Sequence, residues 1–236
     1  MQIKEVVAFG HRHFLPNLSI DLVIIGYGDD ALQCLLLKVG DKWLLPGGYV
    51  KREESVEEAT VNILRTRTGL EDTYLKFLAV FGGKDRQFSE VSREFMQKLG
   101  MEWSEDYWMN NRFVSLTYYS LVNKEKTHPK ISFVDEAFAW FDFDDLPEMW
   151  MDHRDIVLTA REQLTRDAQR EYSAHNLLPE VFTMPDLHRL HQAIVGSKVD
   201  RSRFQKTMLA TGLFERLPRV QKTTPGRNPY QYRLKK

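Results

Sequence analysis

A chain of 236 residues with 42% hydrophobic and 28% charged residues has the composition of a folded, water-soluble protein. It has room for one domain of about 150 residues and a smaller second one. No apolar run reaches the roughly 18 residues that a membrane helix needs, and no signal-peptide pattern opens the sequence, so no membrane partner and a cytoplasmic location are expected. The single cysteine, Cys34, excludes an intrachain disulfide and, lying within LQCLLLKV, is expected to be a buried strand thiol. Basic and acidic residues cancel at 33 each, but residues 183–236 hold twelve Lys plus Arg against three Asp plus Glu. The surplus of nine positive charges on the tail is balanced by an acidic body, and it points to an anionic partner for the tail.

The first 16 residues show no clear periodicity, and the segment is expected to be an exposed arm. Its His11 and His13 lack a nearby third ligand, so no metal site is expected there. LSIDLVIIGY, residues 18–27, has the β-branched enrichment of a strand, and Gly28, Asp29 and Asp30 turn it into a second strand at 32–39. The Trp43-Leu44-Leu45-Pro46-Gly47-Gly48 stretch then leads to a helix that Ser55 can cap, with Glu57 and Glu58 in its first turn and Val56, Ala59, Ile63 and Leu64 as an apolar stripe. Residues 73–83 read as a strand.

After Asp85 and Arg86, the spacing of Phe88, Val91, Phe95 and Leu99 predicts a helix that Gly100 stops. Trp103, Tyr107 and Trp108 follow on an irregular stretch, where large rings either pack into a core or grip a small planar or sugar ligand. Strands are expected at 112–123 and 136–143, giving a mixed sheet, and a helix at 152–170 with Ile156, Val157, Ala160 and Leu164 on one side. That helix is expected to pack within its domain, a dimer contact being the alternative.

A second domain is expected from residue 171, the first spanning 1–170. Thr183 caps a helix with Pro185 in its first turn and Gly196 as its stop. Asp200 caps the next, which Gly212 ends; Phe204, Met208 and Leu209 are expected to face inward and Arg201, Arg203, Gln205 and Lys206 outward. A hairpin with a basic tip, QKTTPGRNP, closes the chain, and two short helices followed by such a hairpin describe a winged helix-turn-helix.

The segment from Gly47 to Leu70 resembles a Nudix box, which reads Gly, five residues, Glu, seven residues, then R-E-U-x-E-E-x-G-U with U aliphatic. Gly48, Glu54, Leu64, Gly69 and Leu70 are in register. The charged hexad is not: it reads Asn62, Ile63, Leu64, Arg65, Thr66, Arg67, so Thr66 and Arg67 stand where the family carries metal-binding glutamates. Nudix chemistry needs clustered carboxylates to hold the magnesium that bridges a diphosphate, and a cation site that loses them is not expected to fill.

The whole chain, from about residue 18 to 234, is similar to the Nudix-related transcriptional regulators (NrtR-like). Beyond the degenerate box, the likeness rests on Ser19-Ile20-Asp21, Phe81-Gly82 with Asp85-Arg86, Asn176-Leu177-Leu178-Pro179 with Phe182-Thr183, the block 200–204, and Gly226-Arg227-Asn228-Pro229. The resemblance implies an α+β fold: a Nudix-like α/β/α sandwich with a mixed sheet, followed by a small winged helix-turn-helix domain. It further implies a DNA-binding regulator, a repressor in dimeric form, that is not an enzyme and uses no cofactor or metal. Its effector would be an ADP-ribose-like nucleotide sugar or a free sugar. Ligand contacts are then expected from Gly47, Gly48, Arg86 and Arg112, with Trp103 and Trp108 from the 87–111 insertion, whose rings favour a sugar. DNA contacts are expected from Arg201, Ser202, Arg203, Gln205 and Lys206 in the major groove of an operator duplex, and from Lys222, Thr223, Thr224 and Arg227 on the wing. Two alternatives remain: a Nudix hydrolase of ADP-ribose or a related diphosphate, and a protein-interaction module, which would leave the basic wing unexplained.

Overall fold

A computed structural model of the chain describes residues 3–70, 74–131, 135–168, 177–220 and 228–235. The first strand organises it. β1 (Phe14–Gly28) buries Ile20, Leu22 and Ile24 in one apolar cluster and Val23 and Ile25 in another, because successive side chains leave opposite faces of a strand that is covered on both sides. That is why LSIDLVIIGY carries a near-continuous apolar run. The turn to β2 (Ala31–Val39) has positive φ at Asp29 and Asp30, 52° and 58°, a conformation that asparagine and aspartate tolerate better than other side chains.

β1 pairs antiparallel with β2 and with β4 (Gly47–Lys51), and parallel with β6 (Val114–Leu121). β3 (Lys42–Leu44) lies on one edge beyond β2, β5 (Tyr74–Phe81) on the other beyond β6, and β7 (Ala137–Asp142) also pairs with β2. The sheet is therefore mixed, as the strand pattern predicts. α2 (Val56–Thr68) covers one face with Ala59 and Leu64; Ser55 caps it in a reciprocal box with Glu58, and Gly69 ends it at φ 75°. α4 (His153–Ala168) covers the other with Ile156, Val157, Ala160 and Leu164 fully buried, and it packs not only within its own domain, as expected, but also on the C-terminal one.

The N-terminal segment differs from its expectation. Residues Ile3–His13 form helix α1, not an exposed arm: Val7 is buried, and the Trp108 indole donates to the Val6 carbonyl at 2.8 Å. A Cβ on Gly10 would stand 2.3 Å from the Trp108 ring, so only glycine lets the helix lie this close. The partner that orders α1 is about 100 residues away, which no local periodicity could reveal.

The C-terminal domain contains α5 (Met184–Val195), α6 (Arg201–Ala210) and a three-stranded sheet in which β10 (Tyr230–Leu234) lies between β8 (Phe182–Thr183) and β9 (Phe214–Arg219). Thr183 and Asp200 cap the helices as predicted. Phe204 and Met208 face inward, but Leu209 does not: it is 43% exposed, one position past the stripe that the 3.6-residue turn allows. The two domains share one apolar core, which runs from Val23 and Tyr119 through α4 to Leu187, Leu190 and Ile194 of α5. An Arg189–Asp30 ion pair of 3.1 Å and a bond from Thr165 Oγ1 to the Ile194 carbonyl tie them at the surface. Among the described residues no helix is long and apolar enough to cross a membrane.

Candidate functional site: a walled cavity and a basic helix

A cavity of about 260 Å³ opens where β4, the C-terminal end of α2, α3 (Ser89–Lys98) and the N-terminus of α4 converge. Ser19 and Asp21 reach it from the β1 face that also carries Val23 and Ile25, since all four are odd positions of one strand. Its polar heart is a chain of buried groups. Arg86 donates to Asp21 Oδ2 at 2.6 Å and to Asp152 Oδ1 at 3.0 Å, and the Ser115 hydroxyl donates to the same Asp21 oxygen at 2.6 Å. Leu45 N–H donates to His153 Nδ1 at 2.9 Å, which leaves the ring proton on Nε2. Burial holds the His153 pKa below its ordinary value, outweighing the nearby Asp21 carboxylate, so the ring is neutral.

The apolar wall includes Tyr49, Phe88, Phe95, Met96, Leu99 and Met109. Five of these six belong to the 87–111 insertion, which is thus a wall of the cavity. Of the predicted ligand residues, Gly47, Gly48 and Arg86 line the space; Arg112, Trp103 and Trp108 do not. Arg112 donates to the Gly82 carbonyl at 2.7 Å, Trp103 donates to Ser92 Oγ beneath the Arg93 guanidinium, and Trp108 packs edge-on against Tyr49, one layer behind the wall. The sequence placed aromatics in the insertion but could not say which would face the space; the helical spacing of Phe88 and Phe95 was the better signal, because it sets a shared face.

Around the box helix, the residues do not fit a divalent cation. The Arg67 guanidinium pairs with Asp135 at 2.7 Å and donates to the Gly47 carbonyl at 3.3 Å, while Thr66 is exposed. Glu54 accepts from Lys51 N–H and from Asn62, and Glu58 closes the helix cap. Glu54 and Glu58 therefore each have a structural partner, Glu53 and Glu57 are exposed, and among the described residues no three ligating side chains cluster to hold a metal. Ile63 lies against Gly48, where a Cβ would be 3.0 Å from its side chain.

In the C-terminal domain, α6 exposes Arg201, Ser202, Arg203 and Lys206 along one side, with Gln205 half-buried. Its other side seats Phe204 between the rings of His188 and His191 on α5, at 5.2 and 4.9 Å. The turn between the helices is held by His188 to the Val199 carbonyl and Val199 N–H to Gln192. Lys222, Thr223, Thr224 and Arg227 lie outside the described residues. Two further arginines at the base of the wing, Arg216 and Arg219, stand over the Tyr230 ring at 4.4 and 4.5 Å; the sequence reading passed over them.

This combination defines a class: a Nudix-type domain with a degenerate box joined through a common core to a winged helix, an NrtR-like architecture. Residues 174–234 match the family of the NrtR DNA-binding winged helix domain. The chain is 22% identical over 225 residues to the ADPR responsive transcriptional repressor NtrR of Acinetobacter baylyi, covering 92% of this chain and 80% of that one. Among solved structures, NrtR of Shewanella oneidensis complexed with a 27mer DNA superposes with a TM-score of 0.73 at 24% identity over 92% of this chain and 93% of that one. A MutT/nudix family protein of Enterococcus faecalis does so with a TM-score of 0.68 at 21% identity over 97% and 91%.

Proposed function

We propose that this protein is a DNA-binding transcriptional repressor whose Nudix-type domain senses a small metabolite without hydrolysing it. The observation that carries the reading is α6: a capped helix anchored by Phe204 and Met208 that presents Arg201, Ser202, Arg203 and Lys206 outward, within a segment matching an NrtR DNA-binding domain. A helix so presented enters a major groove, and a two-fold dimer would set two of them about one helical turn apart or a multiple of it. Gln205 would reach base edges from its half-buried position, while Lys222, Thr223, Thr224 and Arg227 would follow phosphates from the wing, with Arg216 and Arg219 at its base. The relative from Acinetobacter baylyi is named as ADPR responsive, and this supports an ADP-ribose-like effector for the cavity here; a free sugar is the alternative. An effector that fits one arrangement of the domains better than another changes operator affinity by that difference.

The test is binding of the full chain to fragments upstream of its own gene. If about six phosphates are neutralised, log affinity falls with log salt at a slope of about −5. Arg203→Ala should weaken specific binding far more than non-specific binding, and Lys222→Ala both alike. Binding that ignores salt, or no binding, would remove the reading. Against the hydrolase stands the engagement of Arg67 with Asp135 and the Gly47 carbonyl in place of box glutamates. Incubation with ADP-ribose and magnesium should give no turnover; a rate on the order of 1 per second, lost on chelation, would reinstate the enzyme.

A further inference from the structure

The cavity's charges are already spent on one another. Arg67 faces Asp135 and the Gly47 carbonyl; Arg86 faces Asp21 and Asp152. All three nitrogens of the Arg67 guanidinium are engaged, and Arg86 turns its Nε–Nη2 edge, of the kind that grips a phosphate in two parallel bonds, to carboxylates. An anionic ligand would have to strip a carboxylate from one of them and then lie beside that uncompensated carboxylate in a site with few other polar groups.

Two uncharged polar atoms are in the opposite condition. Among the described residues three buried side-chain polar atoms lack a hydrogen-bond partner, and two of them, Ser19 Oγ and His153 Nε2, belong to residues of this wall. The exposures are 8% for Ser19 and 2% for His153, so water does not reach them freely. With Nδ1 taken by Leu45 N–H, the His153 Nε2–H is a donor; the nearest carboxylate oxygen, on Asp21, is 3.9 Å away, beyond hydrogen-bond reach. Leaving such groups unmet is costly, and a partner that enters the cavity relieves that cost.

We infer that the cavity takes an uncharged ring compound, whose hydroxyl or carbonyl oxygen accepts from His153 Nε2–H and bonds with the Ser19 hydroxyl while its apolar faces lie against Tyr49, Phe88 and Phe95. The inference rests on the effector role proposed for this cavity and narrows it: a diphosphate is the wrong charge. The ion pairs act as a filter, setting three carboxylates against two guanidiniums around the cavity, and the insertion supplies the ring surface.

The test uses matched neutral and anionic probes on the full chain, by thermal shift and calorimetric titration: benzamide against benzoate, D-glucose against D-glucuronate, and ADP-ribose. The neutral member of at least one pair should bind, its anionic partner should bind at least about tenfold more weakly, and Ser19→Ala, which removes no bond within the protein, should weaken the neutral probe about tenfold. Asp135→Asn, which leaves Arg67 with an unopposed charge, should reverse the preference and admit glucuronate or ADP-ribose. Should Asp135→Asn fail to fold, the wild type and Ser19→Ala still decide. Tighter binding of an anion or of ADP-ribose by the wild type, no binding of either neutral probe, or indifference to Ser19→Ala overturns the inference. Retention of upstream DNA is measured on the same samples: its loss alone sinks the repressor reading, and anion binding with DNA retained sinks only this one.

Discussion

Replacing Arg86 by methionine tests how the sheet is locked to α4. The guanidinium bridges Asp21 on β1 and Asp152 just before α4, at 2.6 and 3.0 Å, with only 5% of its side chain exposed and 10% of that of Asp21. Methionine fills most of the volume but leaves Asp21 charged and buried, its remaining partner the Ser115 hydroxyl. Breaking one side of a buried pair costs about 3–5 kcal/mol. Each kcal/mol shifts the Tm of a domain this size by about 2–4 °C, so Arg86→Met should melt about 6–20 °C lower at pH 7.5. One control separates charge from packing. Adding Asp21→Asn should recover more than half of the loss, because the charge left without a partner is then gone. A Tm within 2 °C of wild type, or a double variant less stable than the single one, would refute the reasoning.

His153 makes a pH prediction. Its folded-state pKa lies below the ordinary value, so its contribution is complete above about pH 6.5 and is lost as pH falls through the folded value; the Tm should drop between pH 7 and 5, and less steeply in His153→Gln. Asp200→Ala removes the bond to Arg203 N–H that caps α6 and should cost about 1 kcal/mol, read by urea unfolding, and weaken DNA binding through fraying of the same turn. Gly47→Ala should destabilise by about 1–3 kcal/mol, because its Cβ would stand 2.6 Å from both Asp21 Oδ1 and the Ile20 carbonyl, and a wild-type-like melt would show that β4 can shift away.

What the sequence made legible was whatever is written at short range. The caps at Ser55, Thr183 and Asp200, the apolar stripe of α4 and the β-branched run of β1 are local patterns with one structural solution each. The cavity was half legible. Gly47, Gly48 and Arg86 could be named from their place beside the box, but Ser19, Asp21, Asp135 and His153 come together only through the strand pairings of the sheet and the docking of α4 on it, across as many as 134 residues. No spacing rule encodes that. Trp108 shows the converse difficulty: a large ring in an irregular stretch signals burial, yet its companions Phe14 and Gly10 lie in a segment without periodicity of its own. The charge of Arg67 also changes meaning with the fold. In the sequence it is a cation where a carboxylate belongs; in three dimensions Asp135 cancels it.

The shared core has a practical corollary for anyone wishing to graft the Nudix-type domain onto another winged helix. Leu187, Leu190 and Ile194 are buried in the same cluster as Val23, Ala160 and Leu164. A cut at the chain's obvious seam would therefore bare greasy surface on both pieces, and each would be prone to clump. A chimera would need to carry the Nudix-facing side of α5, with Arg189 for Asp30, and replace only the outward residues of α6 and the wing. The two domains are separable in sequence, but the seam between them belongs to both.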